Sequence, residues 1–108
     1  MRPLTVAATA VLKAVADGVR YGFDIMDSTT LASGTVYPIL GRLERAGYVR
    51  SRWERAASAQ KDKRPPRRYY EITGTGVKAL ALSIEHYRTL GGRLAGVPST
   101  PTPDRSGA

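Results

Sequence analysis

At Gly47 the hydrophobic period of this chain changes, and that change limits its fold more than any other feature. Upstream, Val36, Ile39, Leu40 and Leu43 stand at i, i+3, i+4 and i+7, one face of a helix. Downstream, from Tyr48 to Glu54, the period drops to two. Val49, Ser51 and Trp53 share one face, and Arg50, Arg52 and Glu54 share the other. Such alternation, with Val and Trp suited to a pleated surface, predicts a strand. Helices therefore come first and extended chain second, with Gly47 as the stop between them.

The remaining elements follow from the same patterns. Thr5 to Ala16 predicts a helix with Val6, Ala10 and Val15 in its stripe and Leu12 broadening it. Thr5 is its expected cap and Gly18 its left-handed end. Tyr21 to about Ser28 predicts a short second helix facing inward with Tyr21, Ile25 and Met26, where Gly22 permits close approach. Thr29, Thr30 and Ser33 read as a polar turn, and Ser33 as the cap of a third helix reaching Ala46. Pro38 removes one hydrogen bond from that helix and predicts an irregular start. Ala56 to Pro66 reads as a polar loop, and Arg67 to Ile72 as a second strand turning Tyr70 and Ile72 inward. Trp53 is expected to pack within the resulting hairpin.

Thr73 is the expected cap of a last helix, from about Gly74 to Leu94. Its onset is drawn toward Thr75 by the glycines, and its end is frayed by Gly91 and Gly92. Val77, Leu80, Ala81, Ile84, Tyr87 and Leu94 form an apolar seam along it. A 20-residue helix leaving so small a domain needs a partner, so the seam predicts a homodimer. Ala95 to Ala108, with Pro98, Pro101 and Pro103 among Ser, Thr and Gly, is expected to be disordered.

Charge narrows the function. The chain of 108 residues carries +8. Residues 42–68 hold ten bases against three acids, +7 of that total. Such concentration is the electrostatic footprint of a phosphate-binding surface. With no cysteine and only His86, neither a metal site nor a nucleophile–base pair is expected, and no cofactor. Paired carboxylates and a glycine-rich phosphate loop are absent too, so an enzyme is the weakest reading. No apolar run is long enough to span a bilayer, and Met1 to Leu4 shows no secretory leader, so a cytoplasmic protein is expected. The seam carries only Lys78 and Arg88 as nearby bases, a poor membrane helix.

Helix, short helix, polar turn, helix and basic hairpin is the order of a winged helix-turn-helix. The expected class is mainly α with a small β-hairpin. Residues 1–73 form the DNA-binding domain, 74–94 a dimerisation helix and 95–108 a tail. Four stretches together resemble the PadR family of bacterial transcriptional regulators. They are Tyr21-Gly22-Phe23-Asp24-Ile25, Ser33-Gly34-Thr35-Val36-Tyr37-Pro38-Ile39-Leu40, Arg42-Leu43-Glu44-Arg45-Ala46-Gly47-Tyr48-Val49, and Arg67-Arg68-Tyr69-Tyr70-Glu71-Ile72-Thr73 with Gly76 after it.

The resemblance covers about residues 4–94 and implies a dimeric repressor of the short type that binds double-stranded DNA; the two-fold symmetry of such a dimer predicts an inverted-repeat operator. It places Pro38 within the recognition helix. By it, Thr35, Tyr37 and Arg42 match the DNA-facing positions of that helix, and Ser33 at its start is expected to join them. Lys63, Arg64, Arg67 and Arg68 match the family's basic wing; Lys61 of the same loop is expected to act with them, and Val77, Leu80, Ala81, Ile84 and Tyr87 of the seam are the expected dimer contact. A small-molecule effector is a further partner it allows. Short-type members that bind flat aromatic drugs use a tryptophan of the last helix. Here the only tryptophan, Trp53, is on the wing strand.

Duller roles exist for several of these residues. Tyr37 could pack on the helix surface, Arg42 and Arg45 could pair with Glu44, Glu54 or Asp24, and His86 is expected to be exposed. A second class of function is a winged-helix protein-interaction module, binding an acidic partner with no preference for DNA sequence.

Overall fold

A computed structural model of the chain describes residues 1–95. The elements are α1 (Val6–Ala16), α2 (Gly22–Thr29), α3 (Ser33–Arg45), β1 (Val49–Trp53), α4 (Ala56–Lys61), β2 (Arg68–Ile72) and α5 (Gly74–Leu94). Helices α1 to α3 enclose the core, and β1 and β2 form the wing beside them: a winged helix-turn-helix with one C-terminal helix. The tail expected beyond Ala95 lies outside the described residues.

Local chemistry explains most boundaries. The Thr5 hydroxyl accepts from the Ala8 N–H at 3.1 Å, satisfying a free donor at the start of α1. Gly18 and Gly47 hold φ of 94° and 81° at the ends of α1 and α3, where a side chain would be strained. Ser33 is not the cap of α3. It is already helical, and the capping position belongs to Ala32, which has no side-chain hydrogen bond to offer. Pro38 leaves α3 continuous from Ser33, because the buried stripe Val36, Ile39, Leu40 and Leu43 holds both of its sides to the core. Helix α5 starts at Gly74 and runs through Gly91 and Gly92 to Leu94, further at both ends than its glycines suggest.

The loop expected over 56–66 is in part helix. In α4, Ala59 is fully buried outside the main core, and its carbonyl accepts from the Arg64 N–H at 3.1 Å. A run of Ala-Ala-Ser-Ala has the propensity for this turn, but its polar surroundings mask the period. The hairpin pairs Val49 with Ile72, Ser51 with Tyr70 and Trp53 with Arg68. Arg20 and Tyr21 add an edge to it: the Tyr70 N–H donates to the Arg20 carbonyl at 2.9 Å, and Tyr21 bridges Tyr69. The inward face of the hairpin is buried at its base, at Val49 and Tyr70, and runs out of core before Trp53.

Helix α5 is docked on its own monomer. The Ser83 hydroxyl is fully buried, accepts from the Leu4 N–H at 2.9 Å and donates to the Ala79 carbonyl at 2.8 Å. The Tyr87 hydroxyl donates to the Leu4 carbonyl at 2.6 Å. The expected seam is therefore largely used within one chain. Leu80 belongs to the core, Ile84 packs against it, and Tyr87 clamps the N-terminus; Val77 and Ala81 face solvent. His86 is exposed.

The root of α5 is tight. The Thr73 hydroxyl accepts from the Gly76 N–H at 3.0 Å and donates to the Gly47 carbonyl, and the Thr73 N–H donates to the Tyr48 carbonyl at 3.0 Å. A Cβ on Gly76 would fall onto the Tyr48 carbonyl, which is backbone and cannot step aside. Gly76→Ala should destabilise the fold by about 1–3 kcal/mol, as overpacking does. Gly74→Ala meets open space and should be neutral or stabilising, by up to about 1 kcal/mol. Urea unfolding of the two variants checks the opposite signs.

Candidate nucleic-acid interface

Burying one stripe of α3 aims the rest of it outward. Ser33, Thr35, Tyr37 and Arg42 are all exposed. They do not form one cluster. Thr35 and Arg42, seven residues apart, share the flank near α1, where Arg42 borders a hollow with Pro3 and Thr5. Tyr37 lies on the other flank, its ring against Gly22 so closely that no Cβ fits there. The outermost row, at i, i+4, i+7 and i+11, is Gly34, Pro38, Gly41 and Arg45. Arg45 ends this outward row and is not among the expected DNA-facing positions. Neither Arg42 nor Arg45 has an ion-pair partner among the described residues.

The wing bases fall into two groups. Lys61 and Lys63 are exposed at the tip and unpaired among the described residues; Lys63 turns the chain with φ of 55°. Arg64 does not belong with them. Both its terminal nitrogens donate to Glu54, the second at 2.9 Å, and its side chain is only 25% exposed. It is a strut of the wing, with both terminal nitrogens committed to Glu54, unlike the lysines at the tip.

Glu54 is the centre of that strut. Besides Arg64 it accepts from the Arg67 N–H at 3.1 Å and the Tyr21 hydroxyl at 3.3 Å. Hydrogen bonding by Arg64, against an opposing effect of burial, lowers the Glu54 pKa from 4.5 to about 2. The same pair pushes the Arg64 guanidinium upward. Arg67 stacks on Tyr21, 3.9 Å from the ring centroid. Arg68 donates to the Ser51 hydroxyl at 2.9 Å and lies 3.4 Å from Glu44. Thus Glu44 and Glu54 engage wing arginines, not the α3 arginines.

Trp53 departs from expectation most. It is 67% exposed, not packed in the hairpin. With Phe23, Tyr37, Arg67 and Arg68 it borders an open cleft of about 340 Å³ between α2, α3 and the wing. Phe23 is 73% exposed at the same place. Tyr70 forms its floor, and burial raises the pKa of its phenol.

The transcriptional regulator PadR-like family matches this sequence over residues 11–82, from α1 into α5. The chain belongs to that family. It is thus a PadR-like transcriptional regulator, and the family is one of regulators, not enzymes. Among solved structures it is similar to a PadR family transcriptional regulator from Eggerthella lenta at 25% identity, covering 86% of this chain and 84% of that one, with a TM-score of 0.66. A PadR family transcription regulator from Clostridium difficile shares the fold at 20% identity, 82% and 94% coverage and a TM-score of 0.73. A PadR-like regulator from Bacillus cereus does so at 18% identity, 89% and 94% coverage and a TM-score of 0.72. No curated protein matches the sequence. Among the described residues of this PadR-like chain, no helix is long and apolar enough to cross a membrane.

The strut has a pH signature. Its stabilisation is complete above the ordinary glutamate value of 4.5 and is lost as pH falls toward about 2. The melting temperature should therefore decline from pH 4.5 downward. Glu54→Gln should melt lower at pH 7 and lose part of that decline. Parallel melting curves across this window check it; a fixed gap between the two proteins at every pH would contradict it.

Proposed function

We propose that this PadR-like protein is a sequence-specific reader of double-stranded DNA, acting as a dimeric repressor on an inverted-repeat operator in the cytoplasm. One observation carries the reading: Tyr37 of α3 and Arg67 and Arg68 of the wing border the same cleft. A helix presented for the major groove and a basic hairpin thus sit side by side. A module for an acidic protein partner would use the same free bases but show no preference among DNA sequences.

In this reading Thr35, in the first turn of α3, faces base edges, where its hydroxyl or methyl can discriminate. Arg42 and Arg45 flank it for phosphate or guanine. The row Gly34, Pro38 and Gly41 lets the helix backbone come close. Lys61 and Lys63 hold phosphates whatever the sequence.

Selection of duplexes from a random pool tests the proposal. Thr35→Ala should weaken binding to the selected site by about 1–3 kcal/mol and to random DNA little. Replacing Lys61 and Lys63 with Ala should weaken both alike and flatten the salt slope by roughly 0.9 for each phosphate no longer neutralised. Half-sites are expected about 10 base pairs, or a multiple, apart. Lengthening the spacing by about five base pairs turns one half-site to the far face of the duplex, and affinity that survives this rules out the symmetric reader.

The dimer contact is proposed on α5 beyond the monomer's own cover. Leu90 and Leu94 stand seven residues after Ser83 and Tyr87, so they continue the docked face of the helix. Leu90 is 42% exposed and Leu94 57%. Val6, 67% exposed on α1, adds apolar surface near Ile84 and Tyr87. Leu90→Glu with Leu94→Glu should convert a dimer to a folded monomer in sedimentation. A monomer before mutation refutes the assembly.

A further inference from the structure

An exposed indole needs a reason, and the surroundings of Trp53 supply one. It stands at the end of β1, directly opposite Arg68 on β2, where the inward face of the hairpin leaves the core. The Arg68 guanidinium lies 6.0 Å from the indole and 6.0 Å from the Tyr70 ring. Across the cleft are Phe23, 73% exposed, and Tyr37, 48% exposed. None of the three aromatic rings at the mouth is needed for the core.

We propose that this cleft holds the sugar–phosphate backbone of one DNA strand, with Trp53 packed on a deoxyribose and Arg67 and Arg68 on the phosphates beside it. The proposal rests on the double-stranded DNA reading above and adds a contact that reading does not contain. Charge complementarity favours the occupant. Arg67 and Arg68 are 47% and 46% exposed, and each is held by partners that leave donors over. Arg67 is fixed by stacking on Tyr21. Arg68 is fixed through Nε and one terminal nitrogen, which leaves its other terminal nitrogen for a phosphate. Aromatic rings between such groups match the apolar edge of a sugar flanked by charge. Bases of an intact duplex are stacked and face inward, so a ring on a hairpin rim meets the backbone first. The contact is therefore one of affinity and register, not of base choice.

The chain has one tryptophan, so its emission reports this site alone. The full-length protein is titrated with an end-labelled duplex selected from a random pool, following label anisotropy and tryptophan emission together. The proposal expects emission to change, and acrylamide quenching to fall, in step with anisotropy. It also expects both for a scrambled duplex at its weaker affinity. Trp53→Ala should weaken both duplexes roughly tenfold, the scale of an aromatic anchor in an interface. Trp53→Phe should recover part of this, and both variants should melt close to the parent because the ring is exposed. Duplex binding by anisotropy with emission and quenching unchanged, and with Trp53→Ala binding normally, would overturn the proposal while leaving the DNA reading intact. Failure of any duplex to bind would overturn both. Stronger protection by a single-stranded oligonucleotide, or by a flat aromatic dye with the duplex having no effect, would overturn it in favour of that occupant.

Discussion

The carbonyl of Tyr48 is where the working parts of this chain meet. It follows the left-handed Gly47 that ends α3, precedes β1, accepts the Thr73 N–H that ends β2, and is covered by Gly76 in the first turn of α5. The recognition helix, wing and long helix therefore leave one point within a few residues of each other. Because that point is backbone against backbone, it has little freedom to adjust. The angle of α5 is set by it and by the clamp of Leu4 to Ser83 and Tyr87. In a dimer through α5, those two contacts would fix the separation and tilt of the paired α3 helices. Rigid elements of this kind are what allow a symmetric protein to prefer one spacing of half-sites.

A second constraint is electrostatic. A hairpin this rich in arginine repels itself, and a two-stranded ribbon alone is barely stable. Glu54 relieves both problems by taking Arg64, the Arg67 backbone and Tyr21 at once. The wing is thereby tied to the start of α2, and two lysines at its tip are unpaired among the described residues. Some of the positive charge serves to build the wing, and only the remainder is open to a polyanion. Net charge alone overstates the charge open to a polyanion for this reason.

Much of the fold was legible in the sequence. The stripe of α3, the caps at Thr5 and Thr73 and the alternation of β1 are local signals, each enforced by neighbours within about one turn or one strand pair. The PadR-like resemblance rested on the same stretches. What was not legible depended on distance. Trp53 has a strand's pattern and an inward parity, but whether the core reaches that far along the hairpin is a property of where α2 and α3 stop. Leu80 and Tyr87 have the spacing of a dimer seam, yet Leu80 is taken into the monomer's own core, and Leu4, some eighty residues away in sequence, claims Tyr87 first. Arg64 is indistinguishable in sequence from Lys63, and only the return of the loop past α4 brings it to Glu54.

The proposed division of labour follows from this placement. Counterion release scales with the number of phosphates met and is blind to sequence, so it belongs on exposed bases at the wing tip. Base discrimination needs short, fixed side chains near the groove floor, so it belongs on α3, whose outward face is mostly small. A lysine moved from the wing tip to the place of Gly34 or Gly41 would add charge but hold the helix away from the bases. Affinity would rise for every sequence while discrimination fell. Glycine and proline along the outer row of α3, unneeded by the core, are consistent with a helix kept thin for a groove, with its charge delegated to the hairpin beside it.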